Sequence, residues 1–173
     1  MPAAARHRPT EPVDGAQPRP GTRLTAVPRV LLATDADWIH EDVDAALAGD
    51  DIEVLRIREG AEVLPATYRL EPDLIVLDLQ IGNMGGMAAC MDLRLDESVG
   101  KLEVPPILML LDRDVDAFLA HRSQADGWVV KPLDAFRLRR AATALLAGET
   151  HREGMAGEAL EVVAAADEGT TGI

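Results

Sequence analysis

The sequence predicts an α/β fold, a five-stranded parallel sheet with helices on both faces. Three observations carry this. Short apolar runs alternate with amphipathic segments through residues 29–148. The middle runs, Leu74-Ile75-Val76-Leu77 and Ile107-Leu108-Met109-Leu110-Leu111, are continuously apolar, as strands covered on both sides must be. The connections are short, and right-handed crossovers then favour parallel strand order.

The elements follow in turn. Residues 1–28 are rich in proline, alanine and arginine and read as an irregular basic arm. Val30–Ala33 is the first strand, and Thr34-Asp35-Ala36-Asp37 breaks it and can cap a helix over 38–48 with Ile39, Val43, Ala46 and Leu47 inward. Gly49-Asp50-Asp51 turns into a partly alternating strand, 52–57, suited to a sheet edge. A weaker helix near 60–69 contains Pro65, and Glu71-Pro72 turns into the central strand 73–78. Met87, Cys90, Met91 and Leu95 lie at helical spacing in the next helix, 85–96. After the strand 107–111, Val115, Phe118 and Leu119 give a short helix its apolar face. Trp128-Val129-Val130 is the last strand. Asp134 caps a final helix, 135–147, which buries Phe136, Leu138, Ala141, Leu145 and Leu146 and ends at Gly148. Residues 149–173 form an acidic tail with room for a short helix at 155–165.

Composition narrows the function. The net charge is -13 although residues 1–28 hold four arginines against two acids, so the body is strongly acidic. Such a body repels phosphate backbones, and the expected partners are proteins, not nucleic acid. A DNA-binding role would need a further unit, and the stretch after Gly148 is short for a helix-turn-helix domain. No apolar run has the length of a membrane span, and the first residues lack a signal-peptide core. The expected location is the cytoplasm, with peripheral membrane association only through a protein partner. Cys90 is the single cysteine and reads as buried filler. The four histidines show no metal-ligand spacing, and the glycines at 82, 85 and 86 do not match a dinucleotide fingerprint. Met84, Met87 and Met91 read as filler or as an adaptable docking strip.

Two residues carry the chemistry. Asp78 closes the central strand, and Lys131, directly before Pro132, closes the last one. In a parallel α/β sheet both belong at the carboxyl edge, where such folds hold their ligands. An acidic and a basic side chain meeting there make most of a phosphate-accepting carboxylate site.

The chain resembles the receiver domain of two-component response regulators over about residues 28–148. The resemblance rests on Val76-Leu77-Asp78, on Met84 and Gly86 in the following loop, and on Trp128-Val129-Val130-Lys131-Pro132. It implies the flavodoxin-like (βα)5 architecture, with Asp78 as phosphoacceptor and Lys131 before a cis proline. It also implies Asp35 as the second member of an acidic pair that holds Mg²⁺ with Asp78 and a carbonyl near Gln80. Leu111 and Trp128 fall on its switch positions.

The departures from the family pattern are specific. Thr34 stands where the first acidic residue belongs, Gly82 replaces a proline, and Gly85 replaces an aspartate. Leu111 replaces the switch serine or threonine, and neither Leu110 nor Asp112 carries a hydroxyl. A neutral Thr34 weakens a Mg²⁺ site, so the expectation is weakly bound Mg²⁺ or none, with Asp37 as the nearest compensating oxygen. The Asp78–Lys131 pair is then either a structural ion pair in a degenerate site or a working acceptor. Trp128 is either a plug beside the last strand or an anchor in a protein interface.

Two roles follow. The main expectation is a non-enzymatic, atypical stand-alone receiver of the actinobacterial orphan type. It would be an accessory subunit docked on a larger complex, and the resemblance suggests the respiratory NADH dehydrogenase, complex I. The alternative is a working response regulator, phosphorylated on Asp78 by a histidine kinase and signalling through protein contact.

Overall fold

The computed structural model describes residues 27–48 and 52–153. The arm at 1–26 and the expected helix at 155–165 lie outside the described residues. Among the described residues, six strands and five α-helices follow in chain order: β1 (Arg29–Ala33), α1 (Asp37–Leu47), β2 (Glu53–Ile57), α2 (Val63–Leu70), β3 (Leu74–Asp78), α3 (Gly86–Ser98), β4 (Ile107–Leu111), α4 (Ala117–Arg122), β5 (Gly127–Val130), α5 (Ala135–Leu146) and β6 (His151–Arg152). Short 3-10 turns at Gly60–Glu62 and Asp114–Asp116 lead into α2 and α4.

The sheet runs β2-β1-β3-β4-β5-β6, and every neighbouring pair is parallel. The α/β architecture expected from the alternating runs is therefore present. Strand residues alternate between two cores, because successive side chains point to opposite faces. Val30, Leu32, Val76, Leu108 and Val129 pack on α1 and α5. Leu31, Ile75, Ile107, Met109 and Trp128 pack on α2, α3 and α4. Among the described residues, no helix is long and apolar enough to cross a membrane.

Local chemistry explains most boundaries. Asp134 caps α5, its side chain accepting the Arg137 N–H at 2.9 Å. Pro65 falls in the first turn of α2, where its missing N–H removes no helical bond. Gly86 opens α3 against the end of β3, where an added Cβ would lie 2.4 Å from the Asp78 carbonyl oxygen.

Three helix faces differ from expectation. In α3 the buried residues are Gly86, Ala89, Cys90 and Leu93, whereas Met91 and Leu95 are exposed. In the α4 region Ala117 and Ala120 are buried, whereas Val115 and Phe118 are exposed. Phe136, expected inside, is 76% exposed at the start of α5. In α3 and α4 the inward residues are mostly small and the large apolar residues lie to the flank, whereas in α5 Leu138, Ala141, Ala142 and Leu145 form the inward face and Phe136 falls outside it.

The sixth strand extends the expected sheet. After Gly148, at φ 82°, the chain adds His151 opposite Gly127 and Arg152 opposite Trp128. Gly127 permits this, because a Cβ there would meet the His151 carbonyl oxygen at 2.4 Å. The segment that reads as tail in the sequence thus covers the β5 edge.

Candidate functional site at the carboxyl edge of the sheet

Parallel order brings the ends of β1, β3, β4 and β5 to one edge. Asp78 ends β3 and is 2% exposed. Its Oδ1 accepts from Lys131 Nζ at 2.7 Å and from the Gln80 N–H at 3.1 Å. Its Oδ2 accepts from the Thr34 hydroxyl at 2.9 Å. The two oppositely charged residues predicted to converge therefore do so, across 53 positions of sequence. Three donors, one of them an ammonium, hold the carboxylate in one orientation.

Lys131 is fixed from several sides. Its N–H donates to the Leu111 carbonyl at 2.8 Å, and the following bond to Pro132 is cis. Its ammonium also lies 3.1 Å from Asp112 Oδ1 and 5.8 Å from the Trp38 ring centroid. Neither Asp112 nor Trp38 was singled out from the sequence. The sequence signal for Asp112 is its place, one residue past the end of an apolar strand, where the family pattern leads one to look for a hydroxyl. Trp38 had no signal beyond its place at the start of a helix.

Thr34 is fully buried, and its hydroxyl also accepts the Ala36 N–H at 3.2 Å. The residue standing where a carboxylate was expected is thus a donor that orients Asp78. Asp35 is exposed, and its Oδ2 accepts the Gly82 N–H at 3.2 Å. Asp37 does not compensate for Thr34. Its carboxylate binds Arg56 at 2.7 Å and Arg58 at 2.8 Å, and the hydrogen bonds from Arg56 and then Arg58 hold its pKa below the usual carboxylate value.

The family implies Mg²⁺ at this edge. Among the described residues no group of three or more His, Cys, Asp or Glu could hold a metal. The donor set nevertheless fits this ion, because Mg²⁺ is commonly held by one or two carboxylates and keeps several waters. Asp35, two residues past β1, and Asp78, the last residue of β3, would supply hard oxygens from neighbouring strand ends.

The switch positions depart further from expectation. Leu111 is fully buried and joins the same core cluster as Ala117, Ala120 and Trp128. Trp128 is 0% exposed, and its Nε1–H donates to the Glu153 carbonyl at 2.8 Å. It is a core plug under β6 and presents no face to a partner, which corrects its reading as an interface anchor. Cys90 is buried, its thiol 3.2 Å from the Ser123 carbonyl, and burial pushes its pKa up.

Comparison with known proteins corrects the functional expectation. The DNA-binding response regulator MtrA of Mycolicibacterium smegmatis is 35% identical over 106 residues, 60% of this chain and 44% of that protein. The transcriptional regulatory protein CseB of Streptomyces avermitilis is 30% identical over 127 residues, 72% of this chain and 52% of that protein. The chain spans about half the length of the curated relatives it matches. Among solved structures, a response regulator from Chloroflexus aurantiacus superposes with a TM-score of 0.64 at 25% identity, covering 70% of this chain and 99% of that chain. The beryllofluoride-activated receiver domain of Klebsiella pneumoniae RstA gives 0.57 at 27% identity, covering 68% and 97%.

MtrA is named a response regulator and CseB a transcriptional regulatory protein, so the expectation of a degenerate accessory module on a respiratory complex does not stand. The exclusion of nucleic acid falls too, since relatives such as MtrA are named as DNA-binding. It rested on net charge, and the charge of one domain does not speak for the rest of a longer protein. Residues 30–143 match the response regulator receiver domain family, and the chain belongs to it.

Proposed function

We propose that the chain is a working receiver, phosphorylated on Asp78 by a histidine kinase and passing a conformational signal to an output by protein contact. The observation that carries this is the buried Asp78 carboxylate with Lys131 Nζ 2.7 Å from Oδ1. A carboxylate oxygen of Asp78 attacks phosphorus, an acyl phosphate bond forms, and the phosphorus–nitrogen bond to the kinase histidine breaks. The departing imidazole takes a proton from water. Lys131 meets the negative charge gathering on the phosphoryl oxygens, and Thr34 keeps the acceptor in line. Asp35 and Asp78 are the residues that would hold Mg²⁺, which when bound would add positive charge beside those oxygens.

The chain is a phosphate acceptor rather than an enzyme with a separate substrate, and it acts in the cytoplasm. By analogy with MtrA and CseB, the output it governs is control of transcription, with DNA contacted by a unit other than the acidic receiver. Incubation with acetyl phosphate and Mg²⁺ tests the reading. The expected result is a mass gain of about 80 Da, the increment of one phosphoryl group, that is absent in Asp78→Asn. No gain in the folded wild type, with donor in excess, would reject it.

A further inference from the structure

In this family reading, the signal should leave the site through a hydroxyl at the end of β4. Leu111 occupies that place, fully buried and without a donor. The next side chain, however, is charged and already in the site. Asp112 Oδ1 lies 3.1 Å from Lys131 Nζ, and the same ammonium lies 2.7 Å from Asp78 Oδ1. One cation therefore sits between two carboxylates delivered by two strands, and only one of them is the acceptor.

We propose that Asp112 is the switch residue of this chain, a carboxylate that releases on phosphorylation where a hydroxyl would be drawn in. The inference rests on the reading of Asp78 as phosphoacceptor. Before phosphorylation Lys131 satisfies both carboxylates. Phosphorylation replaces one negative charge at Asp78 with about two, on oxygens that reach further from the strand. The single ammonium follows the larger charge, and the phosphoryl group repels Asp112. Both effects act in the same direction, so Asp112 loses its hold on β5.

The route onward is short. Asp112 is the first residue past β4, and Arg113 pairs with Asp116 at 2.8 Å across the 3-10 turn that opens into α4. Asp112 adjoins Arg113, so its release shifts the residue through which that turn is anchored at the start of α4. Asp112 is a positioning residue and does not touch the reacting phosphorus. Its half-exposed side chain makes the contact to Lys131 strong enough to order a turn and weak enough to yield.

Amide hydrogen exchange across residues 112–122, with and without acetyl phosphate and Mg²⁺, tests this, with phosphoryl uptake followed by mass in the same samples. In the wild type phosphorylation should speed exchange about fivefold or more, the lower end of ordinary coupling. Asp112→Asn, close in shape and uncharged, should still take up phosphate, exchange fast from the start and change little on phosphorylation. Asp112→Glu should restore the difference. A full phosphorylation-dependent change in Asp112→Asn overturns the proposal while leaving Asp78 as acceptor. Unchanged exchange in a phosphorylated wild type does the same. A wild type that takes no phosphate overturns both readings.

Discussion

The Thr34 hydroxyl donates to Asp78 Oδ2 at 2.9 Å, so a neutral side chain completes the carboxylate's shell where a second acid was expected. This relationship sets the metal dependence of the site. Thr34→Asp would place a buried like charge beside Asp78, lowering metal-free stability by roughly 2 kcal/mol. The same charge should tighten Mg²⁺ binding about tenfold, since affinity for hard cations rises with ligand charge. Thermal denaturation with and without Mg²⁺ measures both, and the variant should depend on the ion far more than the wild type. Equal Mg²⁺ responses would mean that position 34 lies outside the ion's influence.

The Lys131–Asp78 pair is nearly closed to solvent, with side chains 9% and 2% exposed. Removing one member leaves a buried charge uncompensated, which costs about 3 kcal/mol or more. Lys131→Met should therefore be severely destabilised in urea denaturation. Adding Asp78→Asn should recover most of the loss, giving a large coupling in the double-mutant cycle. A loss below about 1 kcal/mol in the single variant would mark the pair as an ordinary surface contact.

The sequence revealed the sheet edge and concealed its lateral contacts. Asp78 and Lys131 were legible because one ends an apolar strand and the other directly follows one, and strand ends in a parallel sheet share an edge. The packing of Phe118 and Phe136 was not, because helical spacing identifies a stripe but not how closely small residues let the sheet approach. β6 has two residues and no apolar run, so nothing local announces it. It exists through long-range pairing with β5 and through Glu153. Asp112 belongs to a related class, visible as a residue but given meaning only by the lysine that reaches it.

Glu153 clasps β6 to the domain. Its carboxylate accepts from the Val130 N–H and binds Arg137, while its carbonyl accepts from Trp128. Burial raises the Glu153 pKa, but the Arg137 guanidinium and the Val130 N–H outweigh it, and the net shift is downward. A depressed carboxylate pKa contributes stability above the unfolded-state value, here 4.5, and loses it as pH falls through the lower folded value. Glu153→Gln should therefore cost about 1 kcal/mol at neutral pH, the ordinary worth of such bonds. The difference from wild type should shrink below the unfolded pKa and vanish once the carboxylate is protonated in both states. Denaturant midpoints across pH measure it. A gap of constant size at every pH would assign the loss to shape and not to charge.

The two tryptophans offer an internal control for movement of Lys131. Trp128 is buried and its indole N–H is held by the Glu153 carbonyl, whereas Trp38 is exposed with the Lys131 ammonium 5.8 Å from its ring centroid. Such a contact contributes roughly 0.5–1 kcal/mol at exposed sites, so Trp38→Phe should fold normally. Phosphorylation that draws Lys131 toward Asp78 changes the field at the Trp38 ring and leaves the Trp128 hydrogen bond in place. Emission of the wild type should therefore respond to acetyl phosphate and Mg²⁺, and the response should disappear in Trp38→Phe. If it survives there, the moving group lies near Trp128, and the signal must cross the core beneath β6 instead of passing along the carboxyl edge of the sheet.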